Sequence, residues 1–213
     1  MDGFDLYEQE SLAGGIAAYE HDLPKRGSAM YDGKPESPLV ISHLDTAKEY
    51  ISYRTGKGPV EFCCGKQAGR GEPDYMENPL RVKTHSSGLI MVPDQKNNGI
   101  LLFDARNQGK FLRKIGAEGE NMIVTPEGIC EDVYGNIIVC EHDKHQVSVY
   151  NTQGEKLGVL LTTKNGVWHP MGVDCQKDRG LIVVAHSDDI EMTEVKYYIT
   201  VYQGPVKQDP PRQ

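Results

Sequence analysis

The stretch TPEGICEDVYGNIIVCEHDKHQVSVYNTQGEKLGVLL, residues 125–161, decides the fold of this chain. Its short apolar runs alternate with turns rich in Gly, Asn and Asp, which is typical of antiparallel β-structure. Val147 and Val149 alternate with polar neighbours at the period of a strand. The stretch predicts four strands, at residues 128–131, 136–140, 146–150 and 156–161.

This four-stranded unit recurs, and three sets of equivalent positions mark each repeat. The proline that precedes the first strand is Pro24, Pro79, Pro126 and Pro170. The polar residue that ends the second strand is His43, Asp94, Glu141 and His186, spaced by 45 to 51 residues. The aromatic that ends the third strand is Tyr53, Phe103, Tyr150 and Tyr202. Four strands in a repeat of about 45 residues are the signature of a β-propeller. The sequence therefore predicts an all-β propeller with about four four-stranded blades.

The repeats also set the domain boundaries. Residues 1–22 form an N-terminal segment with one candidate strand at 16–19, and residues 23–203 hold the blades. In the first blade we expect strands at 27–31, 38–42, 49–53 and 60–64. Residues 204–213 contain three prolines and no apolar run, so this tail is predicted to be disordered.

Composition excludes several classes of protein. The net charge of −8 argues against nucleic-acid binding, which depends on clustered Lys and Arg. The five cysteines are odd in number and lack CxxC spacing, which favours reduced, buried thiols over a disulfide scaffold. The acidic N-terminus lacks the apolar core of a signal peptide, and no apolar run approaches a membrane span. We therefore expect a soluble, cytoplasmic protein.

The repeat resembles a known family. The pattern P-x-G…G-(apolar)₄-x-D/E-x₂-N/H-x-(V/I)-x-V-(F/Y)-x₃-G is similar to the NHL-repeat propeller, best at 125–161, well at 78–116, and over about 23–203 in all. The chain departs from the family where His43 and His186 replace a common Asp, and where Gln146 and Asn98 replace a common Arg or Lys. The resemblance implies a six-bladed ring, of which this chain would be part, or from which it has diverged.

The resemblance extends to the C-terminal propellers of tripartite-motif ubiquitin ligases, which choose the partner protein. The sequence lacks the Cys and His spacing of RING and B-box zinc modules, so only the recognition end of such a ligase would be present. We predict a non-enzymatic interaction module with a protein partner and no cofactor. If the ring is incomplete, its terminal blades should expose apolar faces and strand edges, which favours self-association.

The strands of a blade are needed for packing, whereas the loops are not, so we predict that the loops on one face of the propeller bind the partner. The predicted binding residues are His43, Asp94, Glu141, His142, His145, His186, Asp188, Asp189, Glu191 and Met192. The last four lie in an acidic loop, 187–196, which could attract a basic partner. A second interpretation of His142-x-x-His145 beside Glu141 is a metal site; the alternative is polar residues spread around a rim.

Two other functions remain open at this stage. Propellers similar in blade pattern include calcium-dependent lactonases and a zinc-dependent amidating lyase, and a metal-dependent hydrolase or lyase would use Glu131, Asp132, Asp174 and His169 as candidate ligands. Some NHL propellers bind RNA through a basic face, which the charge of this chain disfavours. No catalytic or metal-binding residue is assigned.

Overall fold

The computed structural model describes residues 76, 79, 81–116, 119–188 and 195–204, and in addition the backbone of four strands within 29–65. At residues 120 and 188 only the backbone is described. The strands are β1 (Ala29–Met30), β2 (Pro38–Asp45), β3 (Lys48–Thr55), β4 (Val60–Gly65), β5 (Lys83–Thr84), β6 (Leu89–Asp94), β7 (Gly99–Asp104), β8 (Lys110–Ile115), β9 (Pro126–Glu131), β10 (Ile137–Glu141), β11 (Gln146–Tyr150), β12 (Lys156–Leu161), β13 (Trp168–Gln176), β14 (Leu181–Asp188) and β15 (Lys196–Gln203). Over these described ranges the only helices are short 3₁₀ turns. The predictions for 1–22 and 205–213 lie outside the described residues.

The strands form four sheets, and in each one the strands are adjacent in chain order and antiparallel where their pairing is defined. Three sheets have four strands, β1–β4, β5–β8 and β9–β12, which confirms the predicted blades of an all-β propeller. The last described sheet has three strands, β13–β15, the last of which ends at Gln203.

Two predicted strand ends need correction. β2 continues two residues past His43, because it pairs with β3 over eight positions from Pro38–Asp45 to Lys48–Thr55. β14 likewise continues past His186 to Asp188, which is paired with Lys196. The predicted loop 187–196 is therefore shorter, since its first two residues and its last residue lie in the hairpin.

The chain divides into two compact units, Met1–Thr84 with Gly88–Asn97 and Leu101–Arg113, and His85–Ser87 with Asn98–Ile100 and Lys114–Gln213. In the first unit, Ile90, Val92, Leu101 and Phe103 form a buried cluster with Met76 and Val82. In the second unit, the sheets β9–β12 and β13–β15 bury a common core between them.

The innermost strands of the second unit come very close together at one glycine. A Cβ atom on Gly128 of β9 would lie 2.7 Å from the Cα atom of Gly172 and from the backbone nitrogen of Val173 in β13. No side chain fits at that distance, which explains the recurring Pro-x-Gly at the start of these two blades. Glycine is thus required here by the close approach of two backbones.

Of the three cysteines whose side chains are described, Cys130 and Cys140 are buried thiols, as predicted, and Cys175 is only half-buried. Among the described residues no helix is long and apolar enough to cross a membrane.

Candidate functional site

The equivalence of the recurring polar positions can be tested in the second unit by strand register. Glu141 pairs with Pro126, and His186 pairs with Pro170, so both occupy the same place relative to the first strand of their blade. We call the loop end that end of the strands where β10 passes into β11 and β14 passes into β15. Glu141 and His186 both lie at the loop end.

Glu141 is completely buried at the loop end, where its carboxylate contacts four side chains. Its Oε1 atom accepts hydrogen bonds from Gln146 Nε2 at 2.8 Å and from the Tyr150 hydroxyl at 3.3 Å. The same oxygen lies 3.4 Å from Lys156 Nζ, and Oε2 lies 3.0 Å from Lys144 Nζ. The carboxylate thus fixes the turn after β10 to β11 and β12.

Electrostatics at Glu141 follow from this geometry. Burial alone would raise the pKa of the carboxyl, but the hydrogen bonds from Ser148, Gln146 and Lys144 outweigh burial and leave the pKa below its usual value. Burial, together with the neighbouring charge of Glu141, raises the pKa of Tyr150. The pair therefore consists of an ionised carboxylate and a neutral phenol at physiological pH.

Above this carboxylate lies a cluster of four rings, His142, His145, Trp168 and His169, which we call the imidazole surface. The ring centres of His145 and His169 are 4.2 Å apart and those of His142 and His169 are 4.7 Å apart. The Trp168 indole lies 5.1 Å from the His145 ring. All four side chains are partly exposed. The cluster joins the turn after β10 to the start of β13 in the next blade.

Asp143 orients one of these rings. Its carboxylate is 2.7 Å from His142 Nδ1 and accepts a 2.5 Å hydrogen bond from the Thr125 hydroxyl. The hydrogen bond from the Thr125 hydroxyl has the larger effect and the contact with His142 the smaller, and together they hold the pKa of the Asp143 carboxyl below its ordinary value. His142 therefore has a fixed orientation, and its Nδ1 atom faces the carboxylate.

A repeated hydrogen bond sets the positions of His145 and His169. The backbone N–H of His169 donates to His145 Nδ1 at 3.2 Å, and one blade earlier the N–H of Thr125 donates to Asn98 Oδ1 at 2.9 Å. All four residues have left-handed backbone, with φ between 42° and 50°. The bond thus links the residue before a third strand to the residue before the next proline. We call it the blade staple.

The remaining predicted site residues lie as follows. Asp94 is fully buried and accepts hydrogen bonds from the backbone and side chain of Asn97 at 3.2 and 3.0 Å. His186 is buried, lies 3.0 Å from the Thr200 hydroxyl through Nε2, and stacks on Tyr198. The structure gives only the backbone of His43, in β2, and of Asp188, the last residue of β14. The others, Asp189, Glu191 and Met192, lie outside the described residues.

The opposite end of the same strands carries a second polar cluster. Glu131 accepts hydrogen bonds from the backbone and hydroxyl of Ser86 at 3.0 and 2.5 Å, and lies 2.6 Å from Lys177 Nζ. Although burial opposes ionisation, the contacts with Lys177 and Ser86 leave the pKa of Glu131 below its ordinary value. His85 lies 3.4 Å from this carboxylate and accepts from the Ser87 N–H through Nδ1 at 3.1 Å.

The candidate metal ligands do not converge. Asp132 accepts hydrogen bonds from the backbone N–H groups of Tyr134 and Asn136, so it caps a turn. His169 lies near the start of β13, whereas Asp174 lies near its end. Across the described part of the chain no three His, Cys, Asp or Glu side chains are placed to hold a metal ion. A cavity lined by Ile138, Val149 and Ile182 has about 20 Å³, room for no more than a water molecule.

Several residues of the site were not assigned to it from the sequence. His169 was considered as a candidate metal ligand, and Trp168, Asn98 and Thr125 were not among the predicted binding residues. Their contacts join residues 24 and 27 positions apart, through blade stacking. One signal was available, because Asn98 and His145 precede third strands in successive repeats and both offer a side-chain acceptor.

Comparison with solved structures shows the fold. A selenomethionine-substituted virginiamycin B lyase from Staphylococcus aureus matches with a TM-score of 0.51 and 14% identity, over 80% of this chain and 54% of that one. A protein of unknown function from Bacteroides caccae matches with a TM-score of 0.54 and 14% identity, over 74% of this chain and 55% of that one. The chain thus spans about half the length of the solved structures it matches. The class of protein is a β-propeller.

Sequence relatives give the family, although no protein-family profile matches the chain. NHL-repeat-containing protein 4 of Mus musculus is 34% identical over 114 residues, which are 54% of this chain and 79% of the relative. NHL-repeat-containing protein 4 of Homo sapiens is 27% identical over 129 residues, which are 61% of this chain and 94% of the relative. The chain belongs to the NHL-repeat proteins, as the repeat pattern predicted.

Proposed function

We propose that this chain is a protein-interaction module that recognises a partner protein through its loop end, with the imidazole surface at the centre of contact. The observation that carries the proposal is the mutual contact of four rings, with His145 and His169 only 4.2 Å apart between ring centres. Rigid, partly exposed aromatic groups supply contact area at little cost in conformational entropy. A preordered cluster of this kind suits a protein surface as its ligand.

The fold itself does not require imidazoles at these positions. The blade staple needs left-handed backbone and a side-chain acceptor, and Asn98 supplies both one blade earlier. Thr125 likewise fills the place of His169 in the preceding blade. Because Asn and Thr satisfy the same geometry, the two rings are available for recognition rather than committed to folding.

The buried carboxylate of Glu141 supports this surface. Glu141 is inaccessible to a partner, and its bonds to Lys144 and Gln146 hold both ends of the turn that carries His142 and His145. In our proposal Glu141 is a positioning residue. Asp94 has the corresponding place one blade earlier, where it holds Asn97.

The acidic segment 188–194 adds charge to the same proposal. It leaves the hairpin β14–β15 at the loop end, because Asp188 pairs with Lys196 there. Its carboxylates would draw a basic partner toward the loop end and raise the rate of association. In a longer protein of the tripartite-motif type, this module would select the substrate of a cytoplasmic ubiquitin ligase.

The test exchanges the two histidines for the residues that the preceding blade uses. The double variant His145→Asn, His169→Thr keeps an acceptor for the blade staple and removes two of the four rings. Partners would be recovered from cell extract by affinity capture with the original chain and the variant, and identified by mass spectrometry. The matched control is Tyr134→Ser, which removes an exposed ring from the turn at the opposite end of the strands.

We expect the double variant to lose specific partners while its thermal unfolding midpoint stays close to that of the original chain. The control should retain them. If the double variant remains folded and recovers every partner with unchanged affinity, the imidazole surface is not the recognition site.

A further inference from the structure

β15 lies at an open edge of its sheet and carries a row of exposed apolar side chains. It is the last strand of its sheet, paired with β14 over eight positions, and within the described residues no strand covers its other side. Tyr197, Ile199 and Val201 share one face, on which they are 72, 77 and 56% exposed. Such an edge offers unpaired backbone groups and apolar side chains together.

The edge strands of two other blades are protected where β15 is not. β8 carries three basic residues among six, Lys110, Arg113 and Lys114. β12 is broken by two irregularities in its register with β11. Charges and bulges are the usual means by which proteins prevent pairing at an edge. β15 has no irregularity in its eight pairs with β14, and its one charge, Lys196, is its first residue.

We propose that the occupant of this edge is a second copy of the chain, paired antiparallel through β15 about a two-fold axis perpendicular to the sheet. Such an axis leaves each face of the sheet on the same side in both copies. Two paired residues must therefore have side chains on the same face, which means that both are odd-numbered or both are even-numbered. Two such registers pair seven of the eight residues of β15, one centred on Ile199 and one on Thr200. We propose the first, which places Ile199 opposite Ile199 and Tyr197 opposite Val201. Two three-stranded sheets then become one continuous sheet of six strands.

This register is self-complementary. Aromatic and β-branched side chains make favourable cross-strand pairs, as Tyr197 and Val201 would. Lys196 falls opposite Tyr202 of the second copy, so no like charges meet. A basic partner strand would find no complementary charge within β15 and an acidic one only Lys196 at its first position, since residues 197–203 are all uncharged. The edge therefore suits a neutral apolar strand, which is what its own sequence is.

The area is that of a modest specific interface. Val195, Tyr197, Tyr198, Ile199 and Val201 are between 40 and 77% exposed. Scaled from the 150–250 Å² of a whole aromatic side chain, they offer roughly 500 Å² per copy. Two copies expose roughly 1,000 Å² on these side chains, which is the most that the pairing can bury from them; with the backbone edges, the contact is at the lower limit of a specific interface.

The first experiment is the molar mass of the whole chain, measured by analytical ultracentrifugation over a hundredfold range of concentration. We expect a monomer–dimer equilibrium. Ile199→Lys would set two lysines opposite each other on the axis and should abolish the dimer. Leu157→Lys is the matched control, because Leu157 is an exposed apolar residue on the β12 edge, and this variant should still dimerise.

A second variant fixes the register without depending on a charge. Directly opposite residues in antiparallel strands have Cα atoms about 4.5–5.5 Å apart, within the reach of a disulfide. Ile199→Cys should therefore form a cross-linked dimer under mild oxidation, whereas Tyr197→Cys, facing Val201, should not. The unsubstituted chain controls for its own five cysteines.

A monomer at every concentration would overturn the proposal, and so would a folded Ile199→Lys variant that dimerises like the original chain. A dimer that persists without cross-linking at Ile199→Cys would place the contact elsewhere. If the first residues of the chain instead provide a strand for this edge, β15 is covered within one copy and the protein is monomeric.

Discussion

Replacing Glu141 by Gln tests whether the buried carboxylate is what holds the loop end together. The substitution keeps the size of the side chain and removes its charge. Oε1 now accepts from Gln146 and Tyr150 and faces Lys156, while Oε2 faces Lys144. In either orientation of the introduced amide, its NH₂ group faces hydrogen-bond donors, so it lacks the acceptor that it needs.

The magnitude follows from burial. Glu141 is 0% exposed, while the side chains of Lys144 and Lys156 are 31 and 17% exposed. Removing one partner of a fully buried ion pair costs about 3–5 kcal/mol. Because the lysines can turn toward solvent, we expect the lower end of that range, about 3 kcal/mol, against a total stability of about 5–15 kcal/mol.

The assay is urea unfolding followed by the fluorescence of Trp168, the only tryptophan, which lies against His145. Glu155→Gln is the matched control, since Glu155 is exposed and its carboxylate accepts from Asn151 of the adjoining turn. This control should change stability by no more than about 0.5 kcal/mol. A Glu141→Gln variant within 1 kcal/mol of the original chain would refute the central role of the carboxylate.

Acid titration gives the same residue a second, independent readout. The pKa of Glu141 is lowered from 4.5 in the folded chain, so the native state favours the ionised form. Its contribution is therefore complete above pH 4.5 and is lost as the pH falls through the lower, folded value. The difference in stability between the original chain and Glu141→Gln should shrink on acidification. A difference that stays constant would show that charge is not its source.

Two further pairs of substitutions test the strand contacts and the turns, each by urea unfolding. Gly128→Val should cost about 3 kcal/mol, because its Cβ would lie 2.7 Å from the backbone of Gly172, whereas Gly158→Ala, with nothing within 4 Å of its Cβ, should cost less than about 1 kcal/mol. His85→Ala should cost about 1–2 kcal/mol by removing the acceptor of the Ser87 N–H, and His85→Asn, which restores an acceptor, should recover most of that loss. Equal stability within either pair of variants would contradict its explanation.

Strand positions could be predicted because they depend on local alternation. In residues 125–161 the predicted strands differ from the observed ones by two residues at most, and the last two agree completely. Errors arose where pairing rather than alternation sets the end. The hairpins β2–β3 and β14–β15 each continue for eight pairs, through residues such as His43 and Ser187 that resemble loop residues in sequence.

The candidate site was less predictable, because burial and contacts between blades decide it. Glu141 sits in a polar stretch of sequence and is nevertheless fully buried. The donors that compensate it, Lys144, Gln146 and Lys156, are all nearby in sequence, but their convergence depends on three strands meeting. The contact of His145 with His169 depends on the stacking of two blades, which no local pattern encodes.

The two proposed surfaces belong to one blade pair but should act independently, and this can be tested directly. Ile199 lies three residues into β15 from the loop end, about 10 Å along the strand. Substitutions separated by that distance, with no common contact, usually have additive effects. We therefore expect Ile199→Lys to abolish the dimer and leave partner capture by one chain intact. Conversely, His145→Asn with His169→Thr should abolish capture and leave the dimer intact. If a folded Ile199→Lys variant no longer captures the partner, then the partner needs the two loop ends of a dimer at once. In that case, diluting the original chain should weaken capture as well.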